Sequence, residues 1–290
     1  MVRHFRMRSS GTSDWIALGV FSMLREKHSW WLLAAGVAAV CAGLSVLPYC
    51  PPAVSCIRAV AHLADPSSAV LGITLLGSVV VGGSALLTGW TLYWVWRDVE
   101  RLSRVPPPRD LVVVARRAGV RRLVCLEAPG AAFCAGGMRP TVFISRSLVE
   151  RLAPAVLEAV LLHEQDHASR YEPLRRTASW AAAQALFFLP VVGWWARRGM
   201  ETAELRADQT ARIRLGPGPV AQALLLLSAE TTVAGEAAFT GSAALRTAQL
   251  LGDPIPRQPL PRMTVVLSVA GILLTVALTA CLTGPFPGRI

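Results

Sequence analysis

Residues 154–167 read PAVLEAVLLHEQDH, and the last five, His163-Glu164-Gln165-Asp166-His167, form an H-E-x-x-H run. Pro154 suits the first turn of a helix, where its missing N–H leaves no bond unmade. Val156, Leu157, Val160 and Leu161 anchor one face of that helix to a core. The pattern predicts a helix from Pro154 through His167 to about Tyr171. Residues four apart on a helix share a face, so both imidazoles can point at one metal ion. Glu164, one position along, can then reach a water bound to that ion. Two histidines on one buried face also occur as packing or hydrogen-bonding residues, so the metal reading needs a third ligand.

That ligand is available in the run Glu204-Leu205-Arg206-Ala207-Asp208, on a second expected helix. Glu204 completes a two-His, one-Glu zinc set and leaves a fourth position for water. Asp208, one turn on, is placed to accept a hydrogen bond from a ligand imidazole and fix its tautomer. Glu201 is one turn away and competes for the ligand role. The bland alternative is a solvated acidic face neutralised by Arg206 and Arg212.

The chain around these motifs is apolar. Of 290 residues 53% are hydrophobic and 16% charged, and the mean hydropathy of +0.47 is too high for an ordinary soluble domain. Three stretches match the roughly 20 helical residues that cross a bilayer: 29–47, 69–96 and 263–283. The net charge is +11, nearly all of it arginine, since Lys27 is the only lysine. Arginines flank the apolar runs rather than interleave with aromatics, which reads as orientation in a membrane and not as a nucleic-acid surface. No direct nucleic-acid partner is expected.

These features predict a mainly α membrane protein with about three transmembrane helices and a lipid bilayer as partner. The positive-inside pattern places the region 97–262 in the cytoplasm as a zincin-like α+β domain with a small sheet. Residues 1–96 would form a basic N-terminal segment and a two-span hairpin, and 263–290 a last span. The expected location is a bacterial cell membrane, multi-pass, with the site facing the cytoplasm. Cys50 and Cys56 share the predicted outer loop, where a disulfide is compatible with an oxidising compartment.

Within 97–262, Asp110 is expected to open a helix ending near Gly119. Strands are expected at Leu123–Leu126 and Thr141–Ile144, joined by a turn at Gly136 and Gly137. The second of these strands could pair with an extended substrate backbone or simply cover the catalytic helix. Residues 178–195 are apolar enough to suggest a fourth span. One crossing there would put Glu204 on the other side of the membrane from His163, about 30 Å away, and no single zinc can hold both. Pro190 breaks the stretch, and arginines flank both ends. A re-entrant or interfacial hairpin is therefore expected.

The H-E-x-x-H run followed by Glu204 resembles the gluzincin class of zinc peptidases. From about Ala132 to Leu251 the chain resembles, more narrowly, the membrane peptidases of the BlaR/MecR type. The likeness rests on Phe133, Gly136, Arg139, Pro140, Ile144, Pro154, the H-E-x-x-H run, Pro173-Leu174 and the Glu204–Asp208 run. It implies zinc on His163, His167 and Glu204, catalysis by Glu164 and support from Asp208. Asp166 inside the motif is unusual, and Glu172 stands where an aspartate is expected. Seven residues follow Thr283, so the chain is expected to lack an extracellular penicillin-binding sensor.

What the resemblance implies is a membrane-bound zinc endopeptidase acting on a protein or peptide, by analogy a cytoplasmic repressor. Heat-shock proteases of the HtpX type share the same zinc logic and act in membrane-protein quality control. A catalytically inactive membrane signalling adaptor is the alternative from another class. Tyr171, Arg206 and Arg212 are the candidates for stabilising an oxyanion.

Overall fold

The computed structural model describes residues 66–127, 130–231, 240–254 and 259–283, with side chains described outside 66–77, 79–80, 228–231, 240–243 and 276–283. In chain order the elements are α1 (Pro66–Glu100), β1 (Arg104–Val105), α2 (Arg109–Arg117), β2 (Leu123–Leu126), β3 (Ala132–Ala135) and β4 (Thr141–Ser145). They continue with α3 (Arg146–Arg151), α4 (Pro154–Ser169), α5 (Glu172–Ala185), α6 (Pro190–Leu215), α7 (Pro217–Thr231), α8 (Thr240–Leu251) and α9 (Arg262–Thr283). The chain divides into two units. The first holds Trp90–Thr177 and Arg198–Arg257, and the second holds Ala178–Arg197 with the described parts of 66–89 and 259–283.

Local chemistry explains the boundaries in the first unit. Ser145 ends β4 and caps α3, its Oγ accepting from the Leu148 N–H at 3.2 Å. Pro154 opens α4 at its first turn, as the sequence predicts. Gly119 (φ 72°) and Gly216 (φ 79°) end α2 and α6 in the left-handed conformation that glycine adopts freely. Tyr171, just past the end of α4, holds φ 54° without that freedom.

The sheet order is β1-β2-β4-β3, with β2 parallel to β4 and the other pairs antiparallel. β4 alternates as a two-sided strand must. Val142 and Ile144 enter one core with Leu111, Leu148, Val156, Leu157, Val160 and Leu161. Phe143 points to the other face, joining Val99, Leu126 and Ala135, and stacks on Phe133 with ring centroids 5.1 Å apart. The first core holds the hydrophobic face of α4 and so fixes the helix that carries both histidines. α4 packs against β3, β4, α2 and α7.

The helix expected from Asp110, the strands at 123–126 and 141–144 and the helix from Pro154 all form. The expected single turn between the two strands does not: β3 occupies part of that interval, and its short run Ala-Phe-Cys-Ala carries little alternation to reveal it. β4 therefore lies between β2 and β3 with both of its edges bonded. It has no backbone left for an extended substrate, and of the two roles read for Thr141–Ile144 the one that remains is covering α4, against which it packs. Among the described strands, β3 and β1 are the edges.

The membrane architecture is the larger correction. Among the described residues, no helix is long and apolar enough to cross a membrane. The multi-pass, transmembrane reading of 69–96 and 263–283, and the cell-membrane location built on it, are overturned on that finding. In α1, Gly82, Gly83, Ser84, Thr88, Gly89 and Thr91 interrupt the described apolar side chains, and Arg97, Asp98 and Glu100 end them. The first expected span, 29–47, and Cys50 and Cys56 lie outside the described residues.

In the second unit, residues 178–197 do turn back as two helical segments. α5 ends at Ala185, Leu189 N–H donates to Leu186 O at 2.8 Å, and Pro190 starts α6. The Ser268 hydroxyl of α9 accepts from the Val191 N–H at 3.1 Å. Exposed apolar side chains remain on α9, Met263, Val266 and Leu273 among them.

Gly136 sits at φ 106° in the turn from β3 to β4, and a Cβ there would lie 2.7 Å from the Arg139 carbonyl oxygen. Gly136→Ala is therefore expected to destabilise the chain by about 2 kcal/mol. Its denaturation midpoint should fall, while Gly119→Ala, with open space around its Cβ, should fall less.

Candidate functional site

α4 and α6 carry the predicted site residues, and the structure brings them together. His163 and His167 present their Nε2 atoms to one another at 3.1 Å. Glu204 from α6 reaches both, with Oε2 at 3.4 Å from His163 Nε2 and Oε1 at 3.6 Å from His167 Nε2. The apolar stretch 178–195 is thus not a single crossing, since its two ends carry residues that meet. Asp208, one turn along α6, accepts from His163 Nδ1 at 2.9 Å through Oδ1 and is 2% exposed. Glu201, the competing ligand, pairs instead with Arg198 at 3.0 Å.

These distances test the fit of a metal. Donor atoms of a tetrahedral zinc site with bonds of about 2.0–2.1 Å lie about 3.3–3.4 Å apart. The imidazole nitrogens stand 3.1 Å apart, and each meets a different oxygen of the Glu204 carboxylate, at 3.4 and 3.6 Å, separations of the same order. Ligand atoms of His163, His167 and Glu204 form a group all within 4.8 Å of one another. The second partner of each imidazole differs. His163 has the Asp208 carboxylate behind it, whereas His167 Nδ1 is buried without a hydrogen-bond partner among the described groups.

Burial works against a charge on His163, but its bonds to Asp208 and Glu204 prevail and raise its pKa to about 10. Burial and then the His163 charge push His167 down to about 3. Burial opposes the Glu204 charge as well, yet its bond to His163 and the neighbouring cations hold its pKa well below the usual carboxylate range. Burial raises Glu164, leaving a carboxyl beside the imidazoles with an increased hold on a proton. Cys134 on the edge strand β3, which packs against α4, is raised by burial and by the Glu164 charge.

Two arginines that sequence reasoning passed over complete the site. Arg176 on α5 donates from Nη2 to Glu204 Oε1 at 3.0 Å, and Arg246 on α8 lies 3.5 Å from Glu204 Oε2. Arg176 was legible only as one of the arginines flanking an apolar run. No spacing rule connects Arg246 to residues about forty positions away.

Two of the three oxyanion candidates named from sequence, Arg206 and Arg212, are otherwise engaged. Arg206 donates to Asp166 Oδ2 at 3.1 Å and to Glu172 Oε2 at 3.3 Å. Arg212 donates to the Gln249 carbonyl at 3.2 Å, and Tyr171 is about half exposed at the end of α4. The same contacts account for the two unusual residues. Asp166 is buried and accepts from Arg206, from Thr210 Oγ1 at 3.1 Å and from Arg170 Nε at 3.3 Å. Glu172, in the first turn of α5, is long enough to take the other arm of Arg206.

Against known proteins the chain finds no counterpart. No family model, curated protein or solved structure matches it. Function is therefore read from the site itself.

Breaking the Asp166 clamp should cost stability. Asp166→Ala leaves a hole between the helices and removes the bonds from Arg206, Arg170 and Thr210, while Arg206 keeps Glu172 and both arginines reach solvent, so the expected cost is about 1–2 kcal/mol. A thermal melt in the presence of a chelator should show the loss, and an unchanged midpoint would contradict the clamp.

Proposed function

We propose that this chain is a zinc-dependent endopeptidase whose ligands are His163, His167 and Glu204, with Glu164 as the general base. The observation that carries the reading is the convergence of ligand atoms from His163, His167 and Glu204 within 4.8 Å of one another, beside the Glu164 carboxyl, whose pKa desolvation raises. Zinc in such a site lowers the pKa of a bound water towards about 7 and polarises a carbonyl oxygen.

The chain's own residues would do the rest. Glu164 accepts the proton of the attacking water and passes it to the leaving amine, a role that its raised pKa favours. Asp208 keeps the proton of His163 on Nδ1 and leaves Nε2 free to ligate. Arg176, on Glu204 and close enough to lower the Glu164 pKa, would be a cation available to an oxyanion there. β3, an edge among the described strands and packed against α4, offers the strand against which a peptide could extend. A cytoplasmic repressor or a damaged protein as substrate rests on the family resemblance alone.

One observation favours the inactive-adaptor reading. Both oxygens of Glu204 already meet arginine or imidazole nitrogens, so the cluster closes as an ion network without a metal.

Metal content separates the two. The purified chain, never exposed to chelators, should hold about one zinc, and His163→Ala and Glu204→Ala should each lose it. Glu164→Gln should retain zinc and lose at least 100-fold in kcat on a quenched-fluorescent casein. A wild-type chain free of zinc would leave the adaptor reading standing.

A further inference from the structure

Arg246 makes a contact pattern that no other cation of the site shares. Its Nε meets Asp208 Oδ2 at 2.6 Å and its Nη2 meets Asp208 Oδ1 at 2.8 Å, a two-pronged pair. The third nitrogen, Nη1, lies 3.5 Å from Glu204 Oε2. One guanidinium thus holds both the carboxylate behind His163 and the carboxylate that closes the ligand set. The oxygen it grips with Nη2 is the same Oδ1 that accepts from His163 Nδ1.

The helix behind it is fixed as well. Gln249 Nε2 donates to the Leu205 carbonyl at 2.9 Å and to Gln209 Oε1 at 3.3 Å, and Arg212 donates to the Gln249 carbonyl. These bonds tie α8 to the stretch of α6 that carries Glu204 and Asp208. Arg246 projects from that tie one turn before Gln249.

We propose that Arg246 is a positioning residue for the metal site: its fork locks Asp208, and through it the His163 ring, while its remaining arm aims Glu204. This rests on the zinc reading above. An imidazole that ligates a metal through Nε2 is neutral, and Asp208, almost fully buried, then has only Arg246 as a cationic partner among the described residues. Lysine would supply the charge but not the two parallel bonds or the third contact.

The test is zinc affinity, measured by competition with a fluorescent chelator, on wild type, Arg246→Gln, Arg246→Lys, Asp208→Asn and the double variant Asp208→Asn/Arg246→Gln. The visible spectrum of the cobalt-substituted chain reports the coordination, and a melt in chelator reports folding. Arg246→Gln and Arg246→Lys should each weaken zinc binding by about 10- to 100-fold and alter the cobalt spectrum. The double variant should bind zinc no more weakly than the worse single variant, since both changes act on the same imidazole and carboxylate. It also removes the buried charge pair together, so it carries the comparison with Asp208→Asn if Arg246→Gln does not fold.

Wild-type affinity in Arg246→Lys would overturn the fork argument, and losses that multiply in the double variant would overturn the shared route. A lower melting point with unchanged zinc affinity would reduce Arg246 to a structural ion pair. A wild-type chain that binds no zinc would remove the zinc reading and this inference together. Tight zinc in both wild type and Arg246→Gln would remove this inference alone.

Discussion

The site depends on the junction between α4 and α6, where two helices meet along two parallel stripes. One stripe sets His163 and His167 against Glu204 and Asp208. The other sets Asp166 and Arg170 against Arg206 and Thr210. Each is built from residues four apart, the spacing at which helical side chains share a face. The first stripe gathers donors that repel one another until a cation or proton sits among them. The second is a satisfied pair of opposite charges and holds the helices close enough for the first to converge. Asp166 is thus at odds with the usual motif and consistent with this fold: it holds no ligand role, and its burial is matched by three donors.

Local chemistry was legible in advance and distant chemistry was not. Pro154, the apolar spacing of Val156 to Leu161 and the H-E-x-x-H run are read within one helix, and all of them sit where the pattern puts them. The meeting of Glu204 with His163, forty-one positions on, was argued from ligand chemistry rather than from spacing, and the contact is there. Arg176 and Arg246 had no such argument, because an arginine reveals its partner only when the chain brings the carboxylate to it. β3 escaped notice for a different reason. Four residues without a β-branched side chain carry almost no strand signal, and their neighbours impose the pairing.

The apolar composition misled where it was taken as a statement about lipid. A mean hydropathy above zero is shared by membrane spans and by helices rich in small residues and valine, and the glycines, serines and threonines of α1 belong to the second group as much as to the first. What survived the correction was the part of the topological argument that used the metal. His163 and Glu204 lie within a few ångströms, and residues 178–195 between them return the chain to the same place.

The electrostatics of the cluster show why its parts come as a set. Three carboxylates, Glu164, Glu204 and Asp208, surround two imidazoles, and each is buried enough that an unmatched charge would be costly. Arg176 and Arg246 offset two of those charges at fixed positions. Glu164 is the one left with a raised pKa, because burial acts on it while the arginines bond other carboxylates directly. The division of labour follows from that asymmetry. Carboxylates held by arginine or histidine stay ionised and orient, and the carboxyl without such a bond is the one able to move a proton.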